Sequence, residues 1–270
     1  MMEKNDAKSE SGRVLPGGID IVRDIPAPGG CAYDLYSPYG VCDLPLIVDV
    51  HGGGLMYGHK GLNRRLCCAL AALGFNVADV EYRLAPEADF DVMIRDVCAA
   101  VKAAHERCGG QLFLAGDSAG ALLALIADAA AVCDQVREAF ELGSADVGCG
   151  ASGLFLISGM YVFAKRGVRA IAGLSVGKGD WLKYTRMPVL LDVYTPPRLF
   201  MTSSGSDFLK RASLRFDRLL TLRALPHIFD YKAKDCNGHK YAHVYPVRDP
   251  EWQESADLLR RAAAYLVRGL

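Results

Sequence analysis

Residues 112–123 read Leu-Phe-Leu-Ala-Gly-Asp-Ser-Ala-Gly-Ala-Leu-Leu, and the rest of the chain is organised around them. The apolar run from Leu112 to Ala115 is bounded by a turn signal, which predicts a buried strand. The Ala- and Leu-rich segment from Ala121 to Val132 has high helix propensity. Between them lies Gly116-Asp-Ser-Ala-Gly120, and G-x-S-x-G between a strand and a helix is the pattern of a nucleophile elbow.

The two glycines of this pattern have a physical purpose. Gly116 and Gly120 allow a strand and a helix to approach each other closely, because neither carries a side chain. Ser118 is then presented at the helix N-terminus, where backbone N–H groups favour developing negative charge. The alternative is an ordinary strand–turn–helix with a surface serine.

The remainder of the chain alternates strands with helices. The predicted strands are Ile19 to Ile25, Cys31 to Tyr36, Leu44 to Val50, Phe75 to Tyr82, Leu112 to Ala115, Gly153 to Ser158, Arg198 to Thr202 and His227 to Tyr231. The predicted helices cover 62–73, 90–101, 121–132, 209–222 and a last segment that Asp249-Pro250 opens and that ends near Leu266. This alternation predicts an α/β fold with a mostly parallel, doubly wound sheet, to which the first two strands add an antiparallel start.

Length and composition restrict the class of protein. The 270 residues suit one domain covering 1–270, in which residues 1–15 are expected to be disordered. Lys and Arg total 31, as do Asp and Glu, so nucleic acid is not an expected partner. No stretch approaches 18 apolar residues and the start lacks a signal-peptide pattern, so we expect no membrane span and a cytoplasmic location. The nine cysteines are then expected to be reduced.

One segment does not fit the alternation. Residues 160–193 form a long stretch without clear periodicity and contain Gly173, Gly177 and Trp181. Such stretches are usually lids or binding loops. We therefore expect a small cap or lid segment at 160–193.

A second glycine-rich motif, His51-Gly-Gly-Gly54, follows the third predicted strand. Three glycines leave backbone N–H groups unshielded, so an oxyanion can come close to them. A turn that cradles phosphate is the alternative for this motif in isolation. His51 is expected to brace the loop rather than act as a base, because it precedes the nucleophile in the chain.

Together with Glu81-Tyr-Arg-Leu-Ala-Pro-Glu87, these motifs resemble the hormone-sensitive-lipase-like family of α/β-hydrolase esterases, in its GDSAG branch. The resemblance is strong over about residues 45–135. It implies an α/β-hydrolase fold with Ser118 as the nucleophile. It also implies that the backbone N–H groups of Gly53, Gly54 and Ala119 bind the oxyanion. The chain departs from the family in its short N-terminal part and in His59, which stands where a serine is common.

In this family the acid follows the catalytic Ser in the chain and the His follows the acid, and this order indicates where the remaining catalytic groups lie. Asp207 lies in Ser203-Ser-Gly-Ser-Asp207, which resembles the family's acid loop; as an alternative it caps the next helix. Four other aspartates are weaker rivals for the acid: Asp180, Asp192, Asp217 and Asp230. His243 resembles the family's base, whereas His239 follows Asn237-Gly238 and is expected to be a turn residue.

Cys236, His239 and His243 also have a spacing that could suit zinc. A structural site needs a fourth ligand, and no partner C-x-x-C exists in the sequence. We therefore expect neither a metal nor a cofactor.

The sequence predicts a serine carboxylesterase that hydrolyses short-acyl esters of small molecules through Ser118, Asp207 and His243. An amide hydrolase (a peptidase or a formamidase) with the same triad is the first alternative. A catalytically inactive ligand receptor on this scaffold is the second. The oligomeric state stays open, a homo-oligomer included.

Overall fold

The computed structural model describes residues 17–161, 179–236 and 238–268. Its strands join in one eight-stranded sheet with the order β1-β2-β4-β3-β5-β6-β7-β8. The strands are β1 (Ile19–Pro26), β2 (Ala32–Pro38), β3 (Leu46–Val50), β4 (Asn76–Val80), β5 (Leu112–Asp117), β6 (Gly153–Ile157), β7 (Arg198–Ser204) and β8 (His227–Lys232).

The sheet is mostly parallel, as predicted. Strand β2 pairs antiparallel with both β1 and β4, and every neighbouring pair from β4 to β8 is parallel. All five residues of β3 are buried, which is typical of a strand covered on both faces. The eight predicted strands are all present, and the α/β-hydrolase fold is confirmed.

Eight α-helices lie in the described part of the chain. They are α1 (Arg64–Ala71), α2 (Phe90–Cys108), α3 (Ala119–Val132), α4 (Asp134–Ala139), α5 (Met187–Val193), α6 (Lys210–Leu222), α7 (Tyr245–Arg248) and α8 (Gln253–Arg268). Among the described residues, no helix combines the length and the apolar character needed to cross a membrane.

The helices cover both faces of the sheet and create two apolar cores. On one face, side chains such as Val48 and Leu114 pack with α2 to α6. On the other face, side chains such as Ile47 and Phe113 pack with α1, α7 and α8. Successive strand residues therefore alternate between the two cores, as the pleat requires.

Four segments differ from the sequence-based expectations. Asp249-Pro250 was expected to open the last helix, but α8 begins at Gln253, because Trp252 N–H bonds the Asp249 carbonyl (3.2 Å) and closes a turn first. Helices α4, α5 and α7 are absent from the sequence-based prediction, since seven residues or fewer are too short to display a 3.6-residue period.

The expected lid, 160–193, lies partly outside the described residues, and residues 1–15 lie outside them entirely. Its described C-terminal part forms a 3₁₀ helix (Asp180–Thr185) and α5. Trp181 stacks on Phe90 and Phe140, with ring centroids 5.2 and 5.7 Å apart. This part therefore belongs to the main core.

Candidate active site

Ser118 occupies a strained turn between β5 and α3. Its φ of 51° and ψ of −114° are unusual for a residue other than glycine, and such strain is concentrated at functional sites. The Ser118 N–H donates to the Ile157 carbonyl (2.9 Å), and the Ser118 carbonyl accepts from Met160 N–H (2.8 Å). These bonds to the end of β6 hold the turn in place.

The glycines on either side make this turn possible. A Cβ atom on Gly116 would lie 2.6 Å from the Gly120 carbonyl oxygen. A Cβ atom on Gly120 would lie 1.9 Å from the Val50 carbonyl oxygen and 2.5 Å from that of His51. Both obstacles are backbone atoms, so a side chain at either position would separate α3 from the sheet.

The structure brings Ser118, His243 and Asp207 together from three distant parts of the chain. Nε2 of His243 lies 3.0 Å from the Ser118 hydroxyl oxygen, and Nδ1 lies 2.8 Å from Asp207 Oδ1. Asp207 is only 1% exposed and Ser118 8%. A nucleophile in contact with a base, and a base in contact with an orienting carboxylate, is the arrangement required for nucleophilic catalysis.

Asp207 is held as a carboxylate by its surroundings. It accepts hydrogen bonds from the Ser203 hydroxyl (2.9 Å) and from Leu209 N–H (2.8 Å). Burial by itself raises the pKa of Asp207, but the hydrogen bonds from His243, Ser158 and Leu209 outweigh it and hold the pKa below its usual value. The carboxylate can therefore fix the tautomer of the imidazole.

The rival aspartates have other positions or partners. Asp192 pairs with Arg223, Asp217 contacts His227 at 3.1 Å, and Asp230 pairs with Arg261. Asp180 begins the 3₁₀ helix beside Trp181.

The glycine-rich loop is tied directly to the elbow. Gly52 N–H donates to Asp117 Oδ1 (2.8 Å), so the residue just before Ser118 anchors this loop. Gly53 has a φ of 117°, and a Cβ atom there would lie 1.8 Å from the Tyr57 carbonyl oxygen. Gly54 has a φ of 65° and open space around it. Ala119 is the first residue of α3, where N–H groups have no partner within the helix.

His51 has a bracing role, as expected. It is fully buried, its ring stacks on Tyr82 with centroids 4.4 Å apart, and its Nδ1 lies 2.7 Å from the Gly52 carbonyl oxygen. The Tyr82 hydroxyl donates to the His51 carbonyl (2.9 Å). Burial lowers the pKa of His51 to about 4, so its ring is neutral at physiological pH.

A buried polar network extends from the glycine-rich loop into the sheet. Asn63 Nδ2 donates both to Asp117 Oδ1 and to Asp49 Oδ2, each at 2.8 Å. Asp34, Asp79 and Asp49 lie opposite one another on β2, β4 and β3, so three buried carboxyl groups form one row. Burial, and then the charge of Asp117, raises the pKa of Asp49 to about 7. Burial and the Asp49 charge raise that of Asp79 well above its usual value.

The three residues of the alternative zinc pattern have separate partners. The Cys236 thiol lies 2.9 Å from the Tyr241 hydroxyl. His239 stacks on Trp252, with centroids 4.0 Å apart, and contacts Glu254 at 3.3 Å. In the part of the chain that the structure describes, Asp49, Cys67 and Asp79 form the one group with metal-ligand spacing.

Sequence reasoning did not find three residues of this site. Asp117 belongs to the GDSAG pattern, but the pattern assigns it no role, and nothing marks Asn63 or Phe208. Phe208 follows Asp207 directly, and its ring centroid lies 4.2 Å from that of His243. Only position next to an assigned residue could have suggested Asp117 and Phe208.

Comparison with known proteins places the chain in a family. The α/β-hydrolase fold family matches residues 47–222. The chain belongs to this family. Solved α/β-hydrolase structures that resemble it include esterase B from Lactobacillus rhamnosis with a tributyrin phosphonate (TM-score 0.89, 20% identity, 98% of this chain and 91% of that chain). A hormone-sensitive lipase from a metagenome library has a TM-score of 0.75 at 18% identity, over 98% and 88% of the two chains. The predicted family resemblance is confirmed.

Curated α/β-hydrolase relatives match a shorter part of the chain. The carboxylic ester hydrolase LipN of Mycobacterium tuberculosis is 34% identical over 125 residues, or 42% of this chain and 31% of LipN. The kynurenine formamidase of Danio rerio is 30% identical over 131 residues, or 47% of this chain and 41% of that enzyme. The chain spans about a third to a half of the length of the curated relatives it matches.

Proposed function

We propose that this protein is a serine carboxylesterase. The observation that carries the proposal is the unbroken contact from Ser118 through His243 to Asp207. The similarity to LipN and to esterase B, both named for ester hydrolysis, supports it. The complete set of three groups disfavours an inactive receptor, which has no need of an aligned nucleophile, base and acid.

The proposed reaction proceeds through an acyl-enzyme. The Ser118 hydroxyl attacks the ester carbonyl carbon while His243 Nε2 takes its proton, and Asp207 stabilises the resulting imidazolium. The N–H groups of Gly53, Gly54 and Ala119 bind the tetrahedral oxyanion. His243 returns the proton to the departing alcohol, and water then releases the acid by the same sequence.

Replacement of the nucleophile tests this proposal. We expect Ser118→Ala to lower kcat for a chromogenic butyrate ester by about 10⁴-fold or more, because removal of a triad nucleophile has effects of that order. Ser144→Ala is a matched control, since Ser144 is exposed in a turn and belongs to none of the loops that form the site. A fluorophosphonate probe followed by peptide mass spectrometry should label Ser118. Labelling of another residue, or an active Ser118→Ala enzyme, contradicts the assignment.

An amide hydrolase is the second candidate, and the similarity to kynurenine formamidase favours it. Ester and amide hydrolysis use the same three groups and differ in the protonation of the leaving group. Matched substrates with one acyl group, an aryl ester and the corresponding anilide or N-formyl aniline, separate the two activities. A kcat/KM for the amide within about tenfold of that for the ester would identify an amide hydrolase. An esterase does not assist the departure of a nitrogen leaving group, so its kcat/KM for amides is far lower than for esters.

A further inference from the structure

Phe208 is an exposed aromatic ring beside the candidate base. Its exposure is 75%, although it directly follows the buried Asp207 and its ring lies 4.2 Å from the His243 ring. Apolar surface left in water is unfavourable, and its burial under a bound molecule contributes binding free energy. A ring placed in this way can receive the part of a substrate that lies against the imidazole.

A cavity of about 500 Å³ adjoins this ring. Its walls are residues 205–208 together with Lys210, Arg211 and Lys240. Arg211 and Lys240 are exposed, and neither forms an ion pair within the described residues. The Lys210 ammonium donates to the Gly205 carbonyl.

The balance of charge in this cavity is positive. Its one wall carboxylate is Asp207, which is buried and bonded to His243. Asp235 stands next to the cavity and accepts hydrogen bonds from the Ser206 hydroxyl (3.0 and 3.1 Å) and from Tyr241 N–H (2.9 Å). Two carboxylates do not neutralise three cationic side chains, so the cavity favours a negatively charged group.

The proposed esterase chemistry determines which part of the substrate reaches this cavity. In acylation a bond forms between Ser118 Oγ and the carbonyl carbon, and the bond from that carbon to the alcohol oxygen breaks. The departing oxygen takes the proton that His243 Nε2 received from Ser118, so it must come within hydrogen-bond distance of Nε2. The alcohol portion therefore lies beside the imidazole of His243, whose ring centroid is 4.2 Å from that of Phe208.

We propose that Phe208, Lys210, Arg211 and Lys240 form a subsite for the alcohol portion of the substrate, and that the preferred alcohols carry a negative charge. The alcohol skeleton lies against the Phe208 ring, and its carboxylate or phosphate group reaches the cationic side chains beyond it. This inference rests on the proposed esterase activity.

Two esters of nearly the same shape and different charge test the subsite. The pair is 3-carboxyphenyl butyrate, which is anionic at pH 7.5, and 3-carbamoylphenyl butyrate, which has nearly the same shape and is neutral. The measured quantity is the ratio of kcat/KM for the anionic ester to that for the neutral one. We expect the wild-type ratio to be about three to ten at low salt. In 0.5 M NaCl the ratio should fall toward one, because salt screens exposed charges.

Charge-reversal variants locate the effect. We expect Arg211→Glu with Lys240→Glu to lower the ratio by about tenfold or more. The control, Arg107→Glu with Arg268→Glu, changes the net charge equally at the exposed ends of α2 and α8, and we expect its ratio to stay within twofold of the wild type. Since both esters are measured on each enzyme, a loss of folded protein cancels in the ratio.

The outcomes separate the two proposals. A wild-type enzyme that hydrolyses neither ester contradicts the esterase function. Hydrolysis of both esters with a ratio that Arg211→Glu with Lys240→Glu leaves unchanged, or that the control lowers equally, overturns the anionic subsite and leaves the esterase function standing.

Discussion

His243 and His239 lie four residues apart in the loop after β8, yet their side chains have different partners. His243 joins Ser118 to Asp207, whereas His239 stacks on Trp252. We expect His243→Ala to lower kcat for a butyrate ester by at least about a thousandfold, as loss of a triad base typically does. His239→Ala should stay within a few-fold. Steady-state kinetics on both variants checks this, and the reverse pattern would transfer the role of base to His239.

The residues of the candidate site differ in how far the sequence alone could predict them. Ser118 could be proposed from local pattern alone, because G-x-S-x-G marks a turn whose geometry requires those glycines. Asp207 and His243 depend on contacts across 36 and 125 residues of chain, so only the resemblance to the family, in its chain order, acid loop and base, suggested them. Asn63 had no sequence signal. Its importance comes from its position between Asp49 and Asp117, which only folding creates.

At the scale of elements, the packing of α3 against the end of β3 determines the geometry of the elbow. We expect Gly120→Ala to destabilise the protein by about 3 kcal/mol, at the upper end for overpacking, because the obstructing atoms at 1.9 and 2.5 Å are backbone carbonyls that cannot rotate away. Urea unfolding at constant pH measures this change.

Gly148→Ala is the matched control for this substitution. The nearest atom to a Cβ atom at position 148 would be Lys102 Cα at 3.5 Å, which is ordinary van der Waals contact. We expect it to be neutral or to stabilise the protein by up to about 1 kcal/mol through the unfolded chain. Equal unfolding midpoints for the two variants would show that α3 can move away from β3.

The row of carboxyl groups across β2, β4 and β3 makes stability depend on pH. The pKa of Asp49 is about 7 in the folded chain, whereas that of an unfolded aspartate is about 3.9. Between these values the folded state holds a proton that the unfolded state has released. The contribution of Asp49 to the free energy of unfolding therefore falls as pH rises, by at most about 1.4 kcal/mol per pH unit.

We expect Asp49→Asn to remove this dependence. The free energy of unfolding of the variant minus that of the wild type should increase between about pH 4 and pH 7 and then level off. Loss of the Asp49 charge also lowers the pKa of Asp79, which acts in the same direction. Urea unfolding at four pH values measures the difference, with Asp20→Asn on the exposed edge strand β1 as the control. A difference that stays constant with pH would contradict a proton held by Asp49 in the folded state.

Strands were more predictable than helices in this chain, for a physical reason. A strand buried on both faces shows as a short apolar run such as Leu112 to Ala115, whatever packs against it. Helices α4 and α5 have fewer than two turns, so they depend on contacts that sequence does not show. In α5, Leu190 and Leu191 are buried against the main core.

At the scale of the whole molecule, the parallel sheet brings the candidate site together. The loops that carry the glycine-rich motif, Ser118, Asp207 and His243 follow β3, β5, β7 and β8, and the carboxyl ends of parallel strands share one edge of a sheet. Helices and strands separate these loops from one another along the chain. The fold therefore supplies the site with precise spacing while the loops remain free to vary.

The same organisation leads us to expect a small acyl pocket. The apolar side chains of the described part of the predicted lid, among them Trp181, Tyr184 and Leu190, are buried in the main core. The sequence of 160–193 also contains basic residues that break up any continuous apolar run: Lys165, Arg166, Arg169, Lys178, Lys183 and Arg186. Each buried CH₂ group contributes about 0.8 kcal/mol, or roughly fourfold in kcat/KM, only where apolar surface receives it.

We therefore expect soluble p-nitrophenyl esters with acyl chains of about two to six carbons to be preferred, because added CH₂ groups beyond that length find no apolar partner. The value of kcat/KM should fall steeply beyond about eight carbons. A series from acetate to laurate, each at concentrations below aggregation and corrected for the rate with Ser118→Ala, measures this profile. An optimum at twelve carbons or more would mean that residues 160–193 provide a continuous apolar wall despite their basic side chains.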